Sequence, residues 1–184
     1  MLRLGFGKFK GRVLAVPPGQ SVRPATAKVR EYLVNVLRER WSGARVLDLF
    51  SGSGALGLQA LSLGATSVEF VEMGRVALPY LLRNIEQLGV SNQVQVRRRD
   101  VVRFLQRPPA HGYDLVLIDP PYKMLNFQSL LDDIESNNWL TPGGLLFIEH
   151  PRRMDIKTGE LILFREKSFG NTVVKLYERH AAIP

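Results

Sequence analysis

Two short stretches of this chain combine residue types that can do chemistry. Asp119-Pro120-Pro121-Tyr122 sets a carboxylate, two rigid imino acids and an aromatic ring in succession. Asp48-Leu49-Phe50-Ser51-Gly52-Ser53-Gly54-Ala55-Leu56-Gly57 sets a carboxylate ahead of a glycine loop. An exocyclic amine on a nucleic acid base is a poor nucleophile, because its lone pair is delocalised into the ring. Two acceptors fixed on its N–H groups favour a pyramidal nitrogen whose lone pair is free to attack a methyl group. Asp119 Oδ and the carbonyl of Pro120 are candidates for that pair, and charge-assisted bonds strengthen as the nitrogen becomes positive. Pro120 and Pro121 stiffen the loop before substrate arrives. Tyr122 offers a flat face for a base that has left its helix or loop. An Asp-Pro pair alone is equally a plain turn start, so its weight depends on what surrounds it.

Gly52, Gly54 and Gly57 satisfy G-x-G-x-x-G, the dinucleotide fingerprint. A dinucleotide needs its pyrophosphate at the following helix N-terminus. Here Asp48 sits in the strand just before the turn, where an anion suits a cationic ligand better. S-adenosylmethionine carries a sulfonium and an ammonium and no phosphate. Glu72, at the end of the next strand, suits ribose hydroxyls under either scheme. Asp100, ending a third strand, is an acceptor for an adenine amino group. Phe50, Ser51, Gly52, Ser53 and Gly54, with these acids and Asp119, outline a site for S-adenosylmethionine. A dinucleotide oxidoreductase is the rival reading, and it leaves the segment 119–122 without a role.

These residues must be held by strands and helices in alternation. Val116, Leu117 and Ile118 read as a strand buried on both faces, stopped by the prolines. Strands are expected at 46–50, 68–72, 94–98, 115–119, 145–149, 161–166 and 172–178. Helices are expected at 54–63, 75–88, 101–106 and 126–137. That alternation implies a doubly wound, seven-stranded, mostly parallel α/β sheet. The last two strands, joined by a short link containing Gly170, must form an antiparallel hairpin at the edge. Ahead of the sheet, residues 1–16 alternate loosely between glycines, as a short β-hairpin does. A helix is expected over 26–41 from Val29, Tyr32, Leu33, Val36 and Leu37. The division expected is a basic extension over 1–43 and a catalytic domain over 44–184.

The chain has 184 residues, enough for one domain with a substantial core. No apolar run approaches the ~18–20 residues of a membrane span, and the N-terminus lacks a signal peptide's apolar region, so a cytoplasmic protein is expected. With no cysteine and three scattered histidines, disulfides and thiolate metal sites are excluded and a metal enzyme is not expected. Of the net charge of +8, +7 falls in the first 40 residues, where nine Lys and Arg face Glu31 and Glu39. Such asymmetry points to a polyanion held at one end. Lys8, Lys10 and Arg12 are the arm's candidate phosphate ligands, and Phe6 and Phe9 are placed to stack on bases. Arg97-Arg98-Arg99 is either a second phosphate contact or a solvated strand end. Trp139, Phe127 and Leu130 read as core.

The chain resembles the bacterial 16S rRNA (guanine-2-amino) methyltransferase family, within the Class I S-adenosylmethionine-dependent methyltransferases. The resemblance rests on Gly11-Arg12, the segment from Val22 to Glu31 with Asn35, the loop from Phe50 to Leu58, Asp119-Pro120-Pro121-Tyr122 and the closing Lys175-Leu176-Tyr177-Glu178-Arg179. It spans nearly the whole chain. Ser51, Ala25 and Met73-Gly74 depart from the family pattern, and none removes a donor or acceptor of the proposed chemistry. The resemblance implies methylation of a guanine 2-amino group in small-subunit rRNA, free or in a preassembled particle, by a monomer. It also implies that Arg23, Thr26 and Arg30 border the site and bind cofactor or RNA. Methylation of adenine in DNA or another RNA is the runner-up, and a non-catalytic RNA-binding module on the same fold is a further alternative.

Overall fold

The computed structural model describes residues 2–18, 24–121 and 127–180, with side chains in the first helix described from Ala27 onward. A two-residue hairpin opens the chain: β1 (Leu2–Arg3) pairs antiparallel with β2 (Val13–Leu14). Then follow α1 (Pro24–Val36), β3 (Arg45–Leu49), α2 (Ala55–Ser62), β4 (Ser67–Val71), α3 (Leu78–Leu88), β5 (Val94–Arg97), α4 (Val101–Leu105) and β6 (Tyr113–Ile118). The chain closes with α5 (Phe127–Ser136), β7 (Leu140–Pro151), β8 (Leu161–Phe169) and β9 (Thr172–Arg179). The large sheet has the order β5-β4-β3-β6-β7-β9-β8, and only the pairs β7–β9 and β8–β9 are antiparallel. The doubly wound sheet and its terminal hairpin are as the alternation predicts, with β9 inserted between β7 and the edge strand β8.

Each face of the sheet is covered by helices. On one, Val29 and Leu33 of α1, Leu58 and Leu61 of α2, and Leu81 and Ile85 of α3 pack with Leu2, Leu4 and Leu14 of the hairpin. On the other, Val101 and Leu105 of α4 pack with Phe127, Leu130, Leu131 and Ile134 of α5 and with Trp139. Trp139, Phe127 and Leu130 are therefore core, as expected. Trp139 also donates its indole N–H to the Leu105 carbonyl at 3.1 Å, so its polar edge is satisfied on burial.

Element boundaries depart from expectation for identifiable reasons. The helix expected to 41 ends at Val36 and continues as turns, yet Leu37 and Trp41 stay buried, so the apolar period outruns the helix. The strand expected at 145–149 runs from Leu140, because Pro142-Gly143-Gly144 forms an irregularity within the ladder instead of ending it. Gly54 has φ +85° and so precedes α2 without joining it. Phe9, expected to be free for bases, is half-buried against the core, with its amide donating to Ser62 Oγ at 2.9 Å.

Candidate active site

Leu49 pairs with Ile118 across the parallel β3–β6 ladder. The chain therefore leaves the sheet side by side at Phe50 and Asp119. To one side of β3 lie β4 and β5, and to the other lies β6, so this is the point where strand order reverses and open α/β sheets bind ligands.

The glycine loop is built from below. Asp48 is fully enclosed, and its Oδ2 accepts from the Gly57 N–H at 2.8 Å, tying the end of β3 to the first turn of α2. Burial pushes its carboxyl up to about 8, against the pull of the Gly57 amide, and the neighbouring charges of Asp119 and Glu72 push the same way. Glu72 Oε2 accepts from the Gly52 N–H at 2.7 Å, and Oε1 from the Gly74 N–H. The three glycines have different tasks. A Cβ on Gly57 would lie 2.4 Å from the ring of Phe70, and one on Gly54 would lie 2.5 Å from Leu81 Cδ1, so both serve close packing. A Cβ on Gly52 would meet nothing within 4 Å; this glycine alone of the three faces open space. Phe50 holds φ +58°, an uncommon conformation for a residue with a side chain.

Val29, Arg30, Asp48, Phe50, Ser51, Ala55, Leu56, Asp119 and Glu149 enclose a cavity of about 50 Å³. Ser51 Oγ is buried there with no hydrogen-bond partner among the described residues. The structure thus brings together Arg30, Asp48, Phe50, Ser51 and Asp119, with Gly52, Ser53, Gly54 and Glu72 in the adjoining loop. Arg30 is half-buried, and desolvation lowers its pKa while the carboxylates of Glu149 and Asp119 hold its charge in place. Asp100 caps α4, its Oδ1 accepting from the Arg103 N–H at 3.0 Å. Pro120 is buried and Pro121 exposed. Arg23, the side chain of Thr26 and Tyr122 lie outside the described residues. Lys8, Lys10 and Arg12 are exposed on the arm. Lys8 Nζ sits 4.8 Å from the centroid of the Phe9 ring, and Arg12 donates to the Gln87 carbonyl at the end of α3 at 3.0 Å.

Sequence reasoning missed two contributors. Glu149 lies near the end of the buried run of β7 and reaches the cavity; its signal is an acid closing an apolar run, the same signal that marks Asp119. Asn84, fully buried on α3, donates to the carbonyls of Ala15 and Ser53, both at 2.9 Å, and accepts from the Ala15 N–H at 2.7 Å. It fastens the arm, α3 and the glycine loop to one another. Its signal is a lone amide on an apolar helix stripe between Leu81 and Ile85.

Among the described residues no group of three or more His, Cys, Asp or Glu is placed to hold a metal ion, and no helix is long and apolar enough to cross a membrane. The chemistry of the site fits a cationic organic ligand. Asp119 and Glu149 line it, Asp48 beneath them is pushed up chiefly by burial and less by its acidic neighbours, an orphan hydroxyl awaits a donor or acceptor, and the open glycine leaves room for a bulky group.

Sheet order, terminal hairpin and glycine loop define a Class I methyltransferase fold. Residues 2–178 match the family model described as "Conserved hypothetical protein 95". The chain is 34% identical over 182 residues to "Ribosomal RNA small subunit methyltransferase D" of Escherichia coli, covering 98% of this chain and 91% of that one. The chain belongs to this family. Among solved structures, "Putative methyltransferase yhhF" of Escherichia coli superposes with a TM-score of 0.88 at 32% identity, covering 98% of both chains. SMU.776, a methyltransferase-fold protein solved in complex with SAH, shares the fold with a TM-score of 0.65 at 17% identity, covering 82% of this chain and 48% of its own.

Proposed function

We propose that this protein transfers a methyl group from S-adenosylmethionine to the 2-amino group of a guanine in small-subunit rRNA. The observation that carries the reading is Asp119, set beside Phe50 at the strand-order reversal and lining one cavity with Ser51 and Asp48 of the glycine loop. When bound, S-adenosylmethionine supplies an electrophilic methyl group. Asp48 and Glu72 hold the loop in shape through the Gly57 and Gly52 amides. Gly52 gives the ligand close access to the backbone. Asp119 Oδ and the Pro120 carbonyl accept from the two N–H groups of the target amine, keeping its lone pair out of the ring and aimed at the methyl carbon. As positive charge grows on that nitrogen, the Asp119 carboxylate stabilises it. Arg30, which interacts electrostatically with Glu149 and Asp119, offers the Asp119 carboxylate a counter-charge at the cavity before substrate arrives. Tyr122 is assigned, from its place after the prolines, to stack on the extruded base.

The basic arm, residues 1–43, is the RNA-contacting extension in this reading, and Lys8, Lys10, Arg12, Arg23, Thr26 and Arg30 are its candidate contacts. The enzyme works as a cytoplasmic monomer without metal. The relative's name supports an rRNA substrate and leaves the base open. The test is incubation of small ribosomal subunits from a strain lacking this protein with enzyme and labelled S-adenosylmethionine, followed by nucleoside mass spectrometry. N2-methylguanosine is expected. N6-methyladenosine, or label only on DNA, would replace the substrate assignment, and tighter binding of NAD than of S-adenosylhomocysteine in calorimetry would replace the cofactor.

A further inference from the structure

Arg75, Arg98, Arg99, Arg103 and Arg107 line one groove of about 750 Å³ at the β5 edge of the sheet, between the turn before α3 and the outer side of α4. Asp100 is the one acid on its wall, and it already caps α4 through the Arg103 amide. A second groove of about 610 Å³ shares Arg98, Arg99 and Arg107 and runs on toward the first residues of β3 and β6, past Arg45 and His111. All five arginines are exposed. On the wall of that second groove Arg97 is already paired with Glu69 at 2.7 Å, and away from both grooves Arg40 pairs with Glu178 at 3.1 Å. None of these five guanidiniums has a hydrogen bond or ion pair with a described residue.

Five like charges converging against the single acid Asp100 raise the local potential, and a polyanion relieves it. S-adenosylmethionine has no phosphate, so the cofactor does not explain them. Guanidinium forks match phosphate oxygens in two-bond geometry and stack on flat bases, which lysines do not. The position is also informative. Asp100 stands at the end of β5, three strand spacings from β6, roughly 14 Å from the Asp119 end by ordinary sheet geometry. The arm packs with α1, α2 and α3 on one face of the sheet, whereas α4 belongs to the other.

We propose that this arginine groove is a second RNA-binding surface, holding the phosphodiester backbone that flanks the target base while the arm grips RNA from the opposite face. It rests on the rRNA reading above. The groove and the cavity at Asp119 share no lining residue, so the arginines can be replaced while the cavity is kept.

The test is fluorescence anisotropy of a labelled oligouridylate against the full-length protein over a series of KCl concentrations. The variants are R99Q/R103Q/R107Q and R99K/R103K/R107K. Loss of three phosphate contacts is expected to make the log–log salt slope shallower by about 2 for single-stranded RNA, and to weaken low-salt binding at least tenfold. The lysine variant should recover most of the slope, while S-adenosylhomocysteine affinity and the melting temperature stay as in wild type. A glutamine variant with the wild-type slope overturns the groove and leaves the catalytic reading intact; an acidic protein surface would then be the better partner. A wild-type protein without salt-dependent RNA affinity and without methyl transfer to rRNA overturns both.

Discussion

Asp119 and Asp48 are both acids at the ends of adjacent parallel strands, and their surroundings give them different work. Asp119 faces the cavity beside Arg30, where a charged acceptor is useful. Asp119→Ala should therefore lower the methyl-transfer rate by two to three decades, from ~3–4 kcal/mol of lost transition-state stabilisation, with S-adenosylhomocysteine affinity nearly unchanged. Single-turnover kinetics beside calorimetry separates the two; near-wild-type turnover would reduce Asp119 to a turn residue. Asp48 is enclosed and its carboxyl is pushed up to about 8, against roughly 3.9 in an unfolded chain. The folded state thus holds a proton that the unfolded state releases between these values. Its contribution to stability is complete below about pH 4 and is lost as pH rises through about 8. Asp48→Asn removes that titration while keeping an acceptor for Gly57. Urea unfolding of ligand-free protein should show the variant gaining on wild type from pH 5 to pH 8, and parallel curves would mean that Asp48 titrates ordinarily.

The elements around the site were legible wherever one signal dominated. The buried runs of β3, β4 and β6 mark boundaries that the structure reproduces within one to two residues, and α3 ends at Leu88 as expected, where Gly89 with φ +67° closes it. The sequence was misleading where a local signal served a tertiary purpose. Pro142-Gly143-Gly144 is turn chemistry placed inside a ladder, and Leu37 and Trp41 extend a helical period after the helix has ended. Least legible were the clamps between elements, since they pair residues distant in sequence. Gln59 accepts from Gly5 N–H and donates to the Phe6 carbonyl, and Asn84 joins Ala15 to Ser53. These bonds couple the arm to the loop. Asn84→Ala leaves the Ala15 and Ser53 groups without their partner, at a cost of ~1–3 kcal/mol. The expected result is a lower denaturant midpoint together with weaker S-adenosylhomocysteine binding, because the loop loses its anchor. A loss of stability with cofactor affinity intact would show that Asn84 holds only the arm.

At the scale of the whole molecule, charge was legible where it is concentrated in sequence and hidden where folding concentrates it. The first 40 residues carry +7 of the net +8, so the arm is visible by counting. Four of the groove arginines fall between residues 98 and 107, where Arg97-Arg98-Arg99 stands out in sequence, while Arg75 comes from a distant turn and only the fold brings it to the same groove. The arm in turn is more firmly fixed than its glycines imply. Lys8 N–H donates to the Ser62 carbonyl at 2.8 Å, Phe9 packs on the core, and Arg12 reaches the end of α3. Its cations are thus displayed on an ordered surface, which reduces the entropy lost when RNA binds. Lys8→Ala, Lys10→Ala and Arg12→Ala combined should make the salt slope on single-stranded RNA shallower by about 2, at ~0.7 per phosphate contact. Exposed side chains contribute little to stability, so the melting temperature should fall only slightly, mainly through the Arg12 bond to α3. Cofactor affinity should hold, since none of the three touches the glycine loop. Combining this variant with R99Q/R103Q/R107Q should add the two slope changes if each surface holds its own phosphates. A combined change no larger than either alone would mean that arm and groove compete for one stretch of RNA, and the strand would then cross only one face of the sheet.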